Sequence, residues 1–198
     1  MTGKQIELGK DDNVEKYMLL LNSHNLQYSL MAMFTPIRVV CQNTLNVAIS
    51  VAKKKESGII SIKHTKSMDE KIQEAKKVMR VAIKYYDNVG EIYKQMTLKR
   101  LSSIQLLNYA NEVINVKNPT EKNNRRSDIM SYVYGSPGAD KYPGSLWNAY
   151  NGFTYYADHQ KKLMKKSKSD TPRQETILFG ASAKMKTRAF NVALEYLN

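Results

Sequence analysis

Two short apolar runs near the start of the chain set the first elements. Residues 16–21 are mostly large apolar side chains, and residues 29–41 are rich in β-branched and large apolar ones. The turn-prone sequence of residues 22–25 separates the two runs, so the pattern predicts a β-hairpin. Pro36 lacks an amide donor, and we therefore expect the second strand to be bent, bulged or at a sheet edge near that residue.

A helix and a third strand are predicted after this hairpin. Apolar residues recur at helical spacing after Gln42, and residues 53–55 are three lysines that complement the C-terminal end of a helix dipole. Gly58 ends this helix. Residues 58–65 then alternate apolar and polar positions, which indicates a return to strand.

The most regular pattern along the chain is a heptad stripe. Ser67, with Glu70 three positions later, is typical of a capping box at the start of a helix. The apolar positions that follow at spacings of four and three are Met68, Ile72, Ala75, Met79, Ala82, Tyr86, Val89, Tyr93 and Met96. Such a stripe needs a partner helix. We expect an internal partner in the next apolar helix, which contains Ile104 and Leu107, with a subunit partner as the alternative; Gly90 is expected to weaken or kink the long helix.

The remaining pattern is mainly helical. Residues 121–134 predict a charged helix, and the glycines and prolines of residues 135–144 predict a loop. Ser145 is expected to cap a helix through Trp147. A basic linker should follow at residues 161–170, and an amphipathic helix should close the chain.

These elements together predict an α+β fold. A small antiparallel sheet in the first third is covered by a helix, and the remainder is mainly helical with one long heptad-patterned helix. We expect residues 1–14 to be a polar N-terminal segment and residues 15–198 to be one domain, with the sheet and covering helix in 15–66 and the helical part in 67–198. Exposed strand edges and the heptad stripe both favour a homo-oligomer.

The charge adds an expectation about partners. The 198 residues include 31 Lys and Arg against 18 Asp and Glu, a net charge of +13, which favours a polyanion such as nucleic acid. Nine basic residues stand against four acidic ones in residues 53–80, and nine against two in residues 161–188. Tyr155, Tyr156 and Phe179 near the second stretch could stack on bases. The alternative is that the lysines of this stretch only solvate a linker.

Individual residues can be assigned to such an interface. The candidate nucleic-acid-binding residues are Arg38, Asn43, Lys53, Lys54, Lys55, Lys63, His64, Lys165, Lys166, Lys184, Lys186 and Arg188. The polar cluster from Arg38 to Thr44 could hold a phosphate at the start of the predicted helix. Alternatively, Asn43 or Thr44 caps that helix and Arg38 pairs with a carboxylate.

Catalysis is the weaker interpretation. Cys41 could act as a nucleophile if His24 or His64 lay beside it, but a small buried cysteine at a strand end is commonly structural. The spacing of His and Cys predicts no metal site, and no cofactor motif is present in the sequence. No apolar run has the length of a membrane span. The single cysteine suits the reducing cytoplasm of a bacterial cell.

Several short motifs resemble one family. They lie at residues 20–24, 34–45, 60–65, 146–151, 157–159 and 179–186. Together they resemble phage- and plasmid-associated proteins built on the domain of unknown function of the DUF932 type. The resemblance implies a setting in mobile genetic elements. It also implies a longer portion before the Asn22-Ser23-His24 segment than the short polar one found here.

Two functions from different classes follow. The first is a non-catalytic nucleic-acid-binding protein that favours single-stranded DNA, by analogy with annealing factors; it predicts salt-sensitive binding to any oligonucleotide. The second is a small protein that inhibits or decoys a host defence system through protein contacts, which predicts a specific protein partner and little DNA binding. An enzyme that uses Cys41 comes third and predicts inactivation by thiol alkylation.

Overall fold

The N-terminal part of the protein is a small antiparallel sheet. The computed structural model describes residues 5–21, 30–38, 40, 43–44, 59–62, 67–160, 176–177 and 180–198. The strands are β1 (Gln5–Gly9), β2 (Asp12–Leu21), β3 (Leu30–Arg38), β4 (Asn43–Thr44) and β5 (Ile59–Ile62). β3 is central, with β2 along one side and the short strands β4 and β5 along the other. The predicted hairpin and third strand are therefore present.

Pro36 lies where β3 has a neighbour on one side only. On β2 it pairs with Lys16, whereas β5 pairs with β3 from Leu30 to Met33 and β4 pairs from Ile37 onward. Within the described residues, the far side of β3 around Pro36 thus has no strand partner. The expected edge position is local, because β3 as a whole is the central strand.

The polar N-terminal segment contributes an edge strand to this sheet. β1 pairs with β2 through a tight turn in which Asp11 has a φ of 59°. Ile6 is buried, and Asp12 and Val14 are fully buried in the strand that follows. The domain therefore begins before residue 15, and the boundary expected from the sequence is corrected to include β1.

α-Helices follow the sheet in the described part of the chain, which confirms the α+β fold. They are α1 (Met68–Leu98), α2 (Ser103–Val113), α3 (Pro119–Gly135), α4 (Leu146–Tyr155) and α5 (Ala181–Leu197). A π-helical turn, Tyr156–Gln160, extends α4. The capping box predicted for α1 is present, with the Glu70 amide donating to Ser67 Oγ over 3.4 Å and the Ser67 amide donating to Glu70 Oε2 over 3.0 Å.

The described part of the heptad stripe on α1 is buried. Tyr86, Val89, Tyr93 and Met96 all lie in the core, where α1 packs against β1, β5, α4 and α5. The expected pairing of this stripe with α2 is wrong. The exposed fractions of Ile104 and Leu107 on α2 are 72% and 42%, because α2 packs mainly against α5 through its other face.

Gly90 allows close contact between α1 and the sheet and does not kink the helix. A Cβ at this position would lie 3.2 Å from Ile6 Cγ2, so the missing side chain lets β1 lie close against α1. The helix runs without interruption from Met68 to Leu98. The expected kink is therefore corrected to a site of close strand–helix packing.

The segment after Arg38 differs from the helix start predicted there. Asn43 and Thr44 are the two residues of β4 and pair with β3, which leaves them in extended backbone. Residues 45–58, on which the rest of the predicted helix falls, lie outside the described residues. The helix that covers the sheet in the described part of the chain is α1, with α4 beside it.

Candidate nucleic-acid interface

A basic stripe runs along the exposed side of α1. Its members are Lys76, Lys77, Arg80 and Lys84, and all four are exposed. The spacing places Lys76, Arg80 and Lys84 one turn apart along the same side of the helix. The stripe covers about 12 Å of helix axis, since an α-helix rises about 1.5 Å per residue.

The heptad pattern explains why these cations face outward. Tyr85, Tyr86 and Val89 are buried in the core, whereas the four cations are exposed, as expected for an amphipathic helix whose apolar side faces the core. No Asp or Glu occurs between residues 75 and 86, so the acidic residues of this helix nearest to the stripe are Glu74 and Asp87, one beyond each end. Farther along α1, Lys94 is instead paired with Glu91, with Nζ 3.1 Å from Oε1.

Arg38, the first candidate residue, lies inside the protein. Its side chain is about 1% exposed and holds Asp12 through two hydrogen bonds, Nε to Oδ1 over 2.9 Å and Nη2 to Oδ2 over 2.6 Å. The alternative in which Arg38 pairs with a carboxylate is therefore the observed one. Arg38 is corrected from a surface contact to a buried ion pair between β2 and β3.

The same guanidinium joins the sheet to the helical part. Arg38 Nη2 also donates to the carbonyl oxygen of Gly138 over 3.1 Å, and Arg38 Cζ lies 5.3 Å from the centroid of the Trp147 ring. The loop that carries Gly138 brings Tyr142 against Gly9 of β1. Burial raises the pKa of the Tyr142 hydroxyl, and the Asp12 carboxylate raises it further.

Lys186 is a second candidate that is buried. Its side chain is fully enclosed, and Nζ lies 2.7 Å from Oδ1 of Asp158 in the π-helical turn. Loss of hydration lowers the pKa of the Lys186 ammonium group, against the opposing attraction of the Asp158 carboxylate. This pair fixes α5 to the end of α4, and Lys186 is corrected from a nucleic-acid contact to a structural residue.

The other candidates are distributed differently. Lys184 is exposed on α5, whereas Arg188 donates from Nη1 to the Val113 carbonyl over 3.1 Å and so contacts the end of α2. Asn43 lies in β4. The candidates that fall outside the described residues are Lys53, Lys54, Lys55, Lys63, His64, Lys165 and Lys166. Among the described candidates, only Lys184 is an exposed cation.

The structure does not test the residues named for catalysis. Cys41, His24 and His64 all lie outside the described residues. Over the described ranges, no three His, Cys, Asp or Glu side chains are grouped as metal ligands. None of the helices in those ranges is long and apolar enough to cross a membrane.

None of the four stripe residues is among the candidate nucleic-acid-binding residues, and the partner of Arg38 was not predicted. Lys76, Lys77 and Arg80 lie within the basic stretch of residues 53–80, whereas Lys84 lies beyond it. The heptad stripe predicts their exposure, because the polar residues of an amphipathic helix typically lie on the side away from the core. No local pattern indicates that Asp12 is the partner of Arg38. The two residues meet only because the β2–β3 register places Arg38 opposite Val14, two residues from Asp12.

The fold and the exposed stripe define a basic α+β domain with a small sheet and a helical bulk. A family model described as "Domain of unknown function (DUF932)" matches residues 1–178. The chain belongs to this family. No curated protein matches the chain, and no solved structure matches it.

Proposed function

We propose that this protein is a non-catalytic nucleic-acid-binding protein of a phage or plasmid that acts in the bacterial cytoplasm. The basic stripe on α1 is the observation that carries the proposal. It presents four cations along one helix, which suits contact with successive phosphates of a nucleic-acid backbone. A homo-oligomer would align several such stripes, as an annealing protein for single-stranded DNA requires.

The distribution of charge supports this function. Residues 53–80 hold nine Lys and Arg against four Asp and Glu, and residues 161–188 hold nine against two. These segments contain most of the candidate lysines from the sequence. They would add phosphate contacts to those of the stripe.

The two buried cations do not weaken the argument from charge. Arg38 is paired with Asp12 and Lys186 with Asp158, so each pair is neutral as a unit. The net charge of +13 is therefore carried by the other ionisable residues. A charge of this size attracts polyanions over a distance set by the ionic strength.

A charge reversal within the stripe tests the proposal. Arg80→Glu should weaken binding to oligonucleotides of every sequence and should lower the slope of log affinity against log salt by about 0.7 for a single strand. Fluorescence anisotropy of labelled oligonucleotides across a salt series measures both quantities. Lys94→Glu is the matched control, because it changes the net charge equally on the same helix but lies outside the stripe.

Two results would contradict the proposal. Equal effects of Arg80→Glu and Lys94→Glu would mean that only net charge matters and that the stripe is not the contact. Failure of the unmodified protein to bind any oligonucleotide at low salt would reject nucleic-acid binding altogether. The function as an inhibitor of a host defence protein would then be the one to pursue.

A further inference from the structure

Four aromatic rings form a continuous row at the surface between α3 and the end of α4. Tyr132 and Tyr155 have ring centroids 5.5 Å apart, and Tyr132 and Tyr156 have centroids 6.3 Å apart. His159 continues the row, with its centroid 4.6 Å from that of Tyr155. The three tyrosines are partly exposed and His159 is exposed. We call these four residues the aromatic row.

The π-helical turn sets which side chains reach this surface. Within this turn, the Asp158 side chain is buried and pairs with Lys186, whereas the next residue, His159, is exposed. Tyr156 is the inner member of the row, and burial raises the pKa of its hydroxyl. The buried ion pair thus holds the turn in the conformation that leaves Tyr155 partly exposed and His159 exposed.

We propose that the aromatic row is a platform on which unpaired bases of single-stranded nucleic acid stack. This inference rests on the proposed function and names the site that distinguishes single strands from duplexes. Every base has a flat π face, so stacking on side-chain rings tolerates any sequence. In a duplex those faces are already stacked on neighbouring base pairs, which leaves the row little to bind.

The acidic and basic side chains around the aromatic row nearly balance each other. Arg125 lies 2.6 Å from Glu121, and Asp128 is close enough to affect the Tyr156 hydroxyl, so the local charges on α3 are nearly balanced. The row itself is therefore a site for bases rather than phosphates.

The platform is tested by measuring how two protein variants bind oligonucleotides with and without bases. The probes are a single strand, the same strand with abasic positions, and a duplex of that sequence. Tyr155→Leu and His159→Ala should each weaken binding of the intact single strand by roughly 5- to 150-fold, which corresponds to about 1 to 3 kcal/mol for each stacked base. Binding of the abasic strand and of the duplex should change much less, because neither offers a free base face.

Two controls separate stacking from a structural role. Tyr155→Phe keeps the ring and should retain single-strand affinity. Tyr134→Leu removes an exposed tyrosine of α3 two positions from Tyr132, on a different side of the helix, and should leave all three affinities unchanged. His159 is exposed, so His159→Ala tests the row even if Tyr155→Leu does not fold.

The outcomes distinguish this inference from the proposed function. If the unmodified protein binds the intact and abasic strands equally well, nucleic-acid binding stands and the platform is rejected. Equal losses for single strand and duplex in His159→Ala would also reject it. If no probe binds at low salt, the proposed function and the platform both fail.

Discussion

At Gly138 the backbone has a φ of 78°, in the left-handed region that side chains with a Cβ disfavour. A Cβ there would lie 2.6 Å from Val40 Cγ1 and 3.1 Å from Arg38 Nη2. The Gly138 carbonyl is also the acceptor that Arg38 uses beyond Asp12. One residue without a side chain therefore allows the loop after α3 to close onto the sheet.

We expect Gly138→Ala to lower the free energy of unfolding by about 1 to 3 kcal/mol, through backbone strain and overpacking. Chemical denaturation followed by circular dichroism measures the change. Gly135→Ala is the control, because a Cβ at Gly135 meets no atom within 4 Å. A loss of similar size in both variants would contradict the role given to Gly138.

Burial of individual charged residues was only partly predictable from the sequence. Lys186 carried an unused signal, because it lies on the face of α5 that also contains Met185, Ala189 and Phe190, all of them buried. The indication for Arg38 was weaker. Arg38 lies two residues after the buried Pro36 and therefore on the same face of β3. Its contact with Gly138 joins residues 100 positions apart, and no local pattern contains that information.

The organisation of α1 is the main feature at the scale of elements. One side of the helix is drawn into the core by Tyr86, Val89, Tyr93 and Met96, and the other presents the basic stripe. Tyr93 is the centre of the packing, with its ring centroid 4.8 Å from that of Trp147. The helix therefore supports the core and displays the proposed interface at once.

Two adjacent positions on α1 should differ greatly in how much stability they lose when lysine is introduced. Met96→Lys should lower the free energy of unfolding by about 3 to 5 kcal/mol, because it places an unpaired ammonium group among apolar neighbours. Gln95→Lys, one residue earlier and exposed, should change stability by less than about 0.5 kcal/mol. Thermal unfolding of the two variants checks the register, and comparable losses would show that it is misassigned.

Helix positions were predictable where local signals agreed, and helix partners were not. The capping box at Ser67, the loop of residues 135–144 and the cap at Ser145 all depend on neighbouring residues. The choice of partner for α1 depends on the contact area offered by distant segments. Tyr93 meets Trp147, Tyr150 and Phe190 there, and α2 offers no comparable set of rings.

At the scale of the whole molecule, the sheet and the helices share one core. Ile6 of β1 packs against α1 at Gly90, and the Tyr86 hydroxyl donates to the backbone carbonyl of Tyr17 on β2. The Asp12–Arg38 pair makes a further link, to the loop at Gly138. We therefore expect the sheet and the helical part to unfold together.

The Ile6→Ala variant, at the N-terminal edge strand, tests whether the sheet and the helical part unfold together. It should lower the free energy of unfolding by about 2 to 5 kcal/mol, because it removes a buried side chain from the contact between β1 and α1. The denaturation curve, recorded both by helix content and by Trp147 fluorescence, should shift as a single transition. Glu7→Ala, at the exposed neighbouring position, should leave it in place, and two separate transitions would disprove the shared core.

The contact between Arg38 and Gly138 has a consequence for protein synthesis. A ribosome adds about 5 to 20 residues per second, so roughly 5 to 20 s pass between the addition of Arg38 and that of its partner 100 positions later. During that interval Arg38 and Asp12 can pair, but the loop and the Trp147 ring that cover them have yet to be made. Until then the ion pair of the nascent sheet is hydrated and one apolar face of the sheet is uncovered. We therefore expect the nascent chain to be open to chaperones and to self-association during this interval.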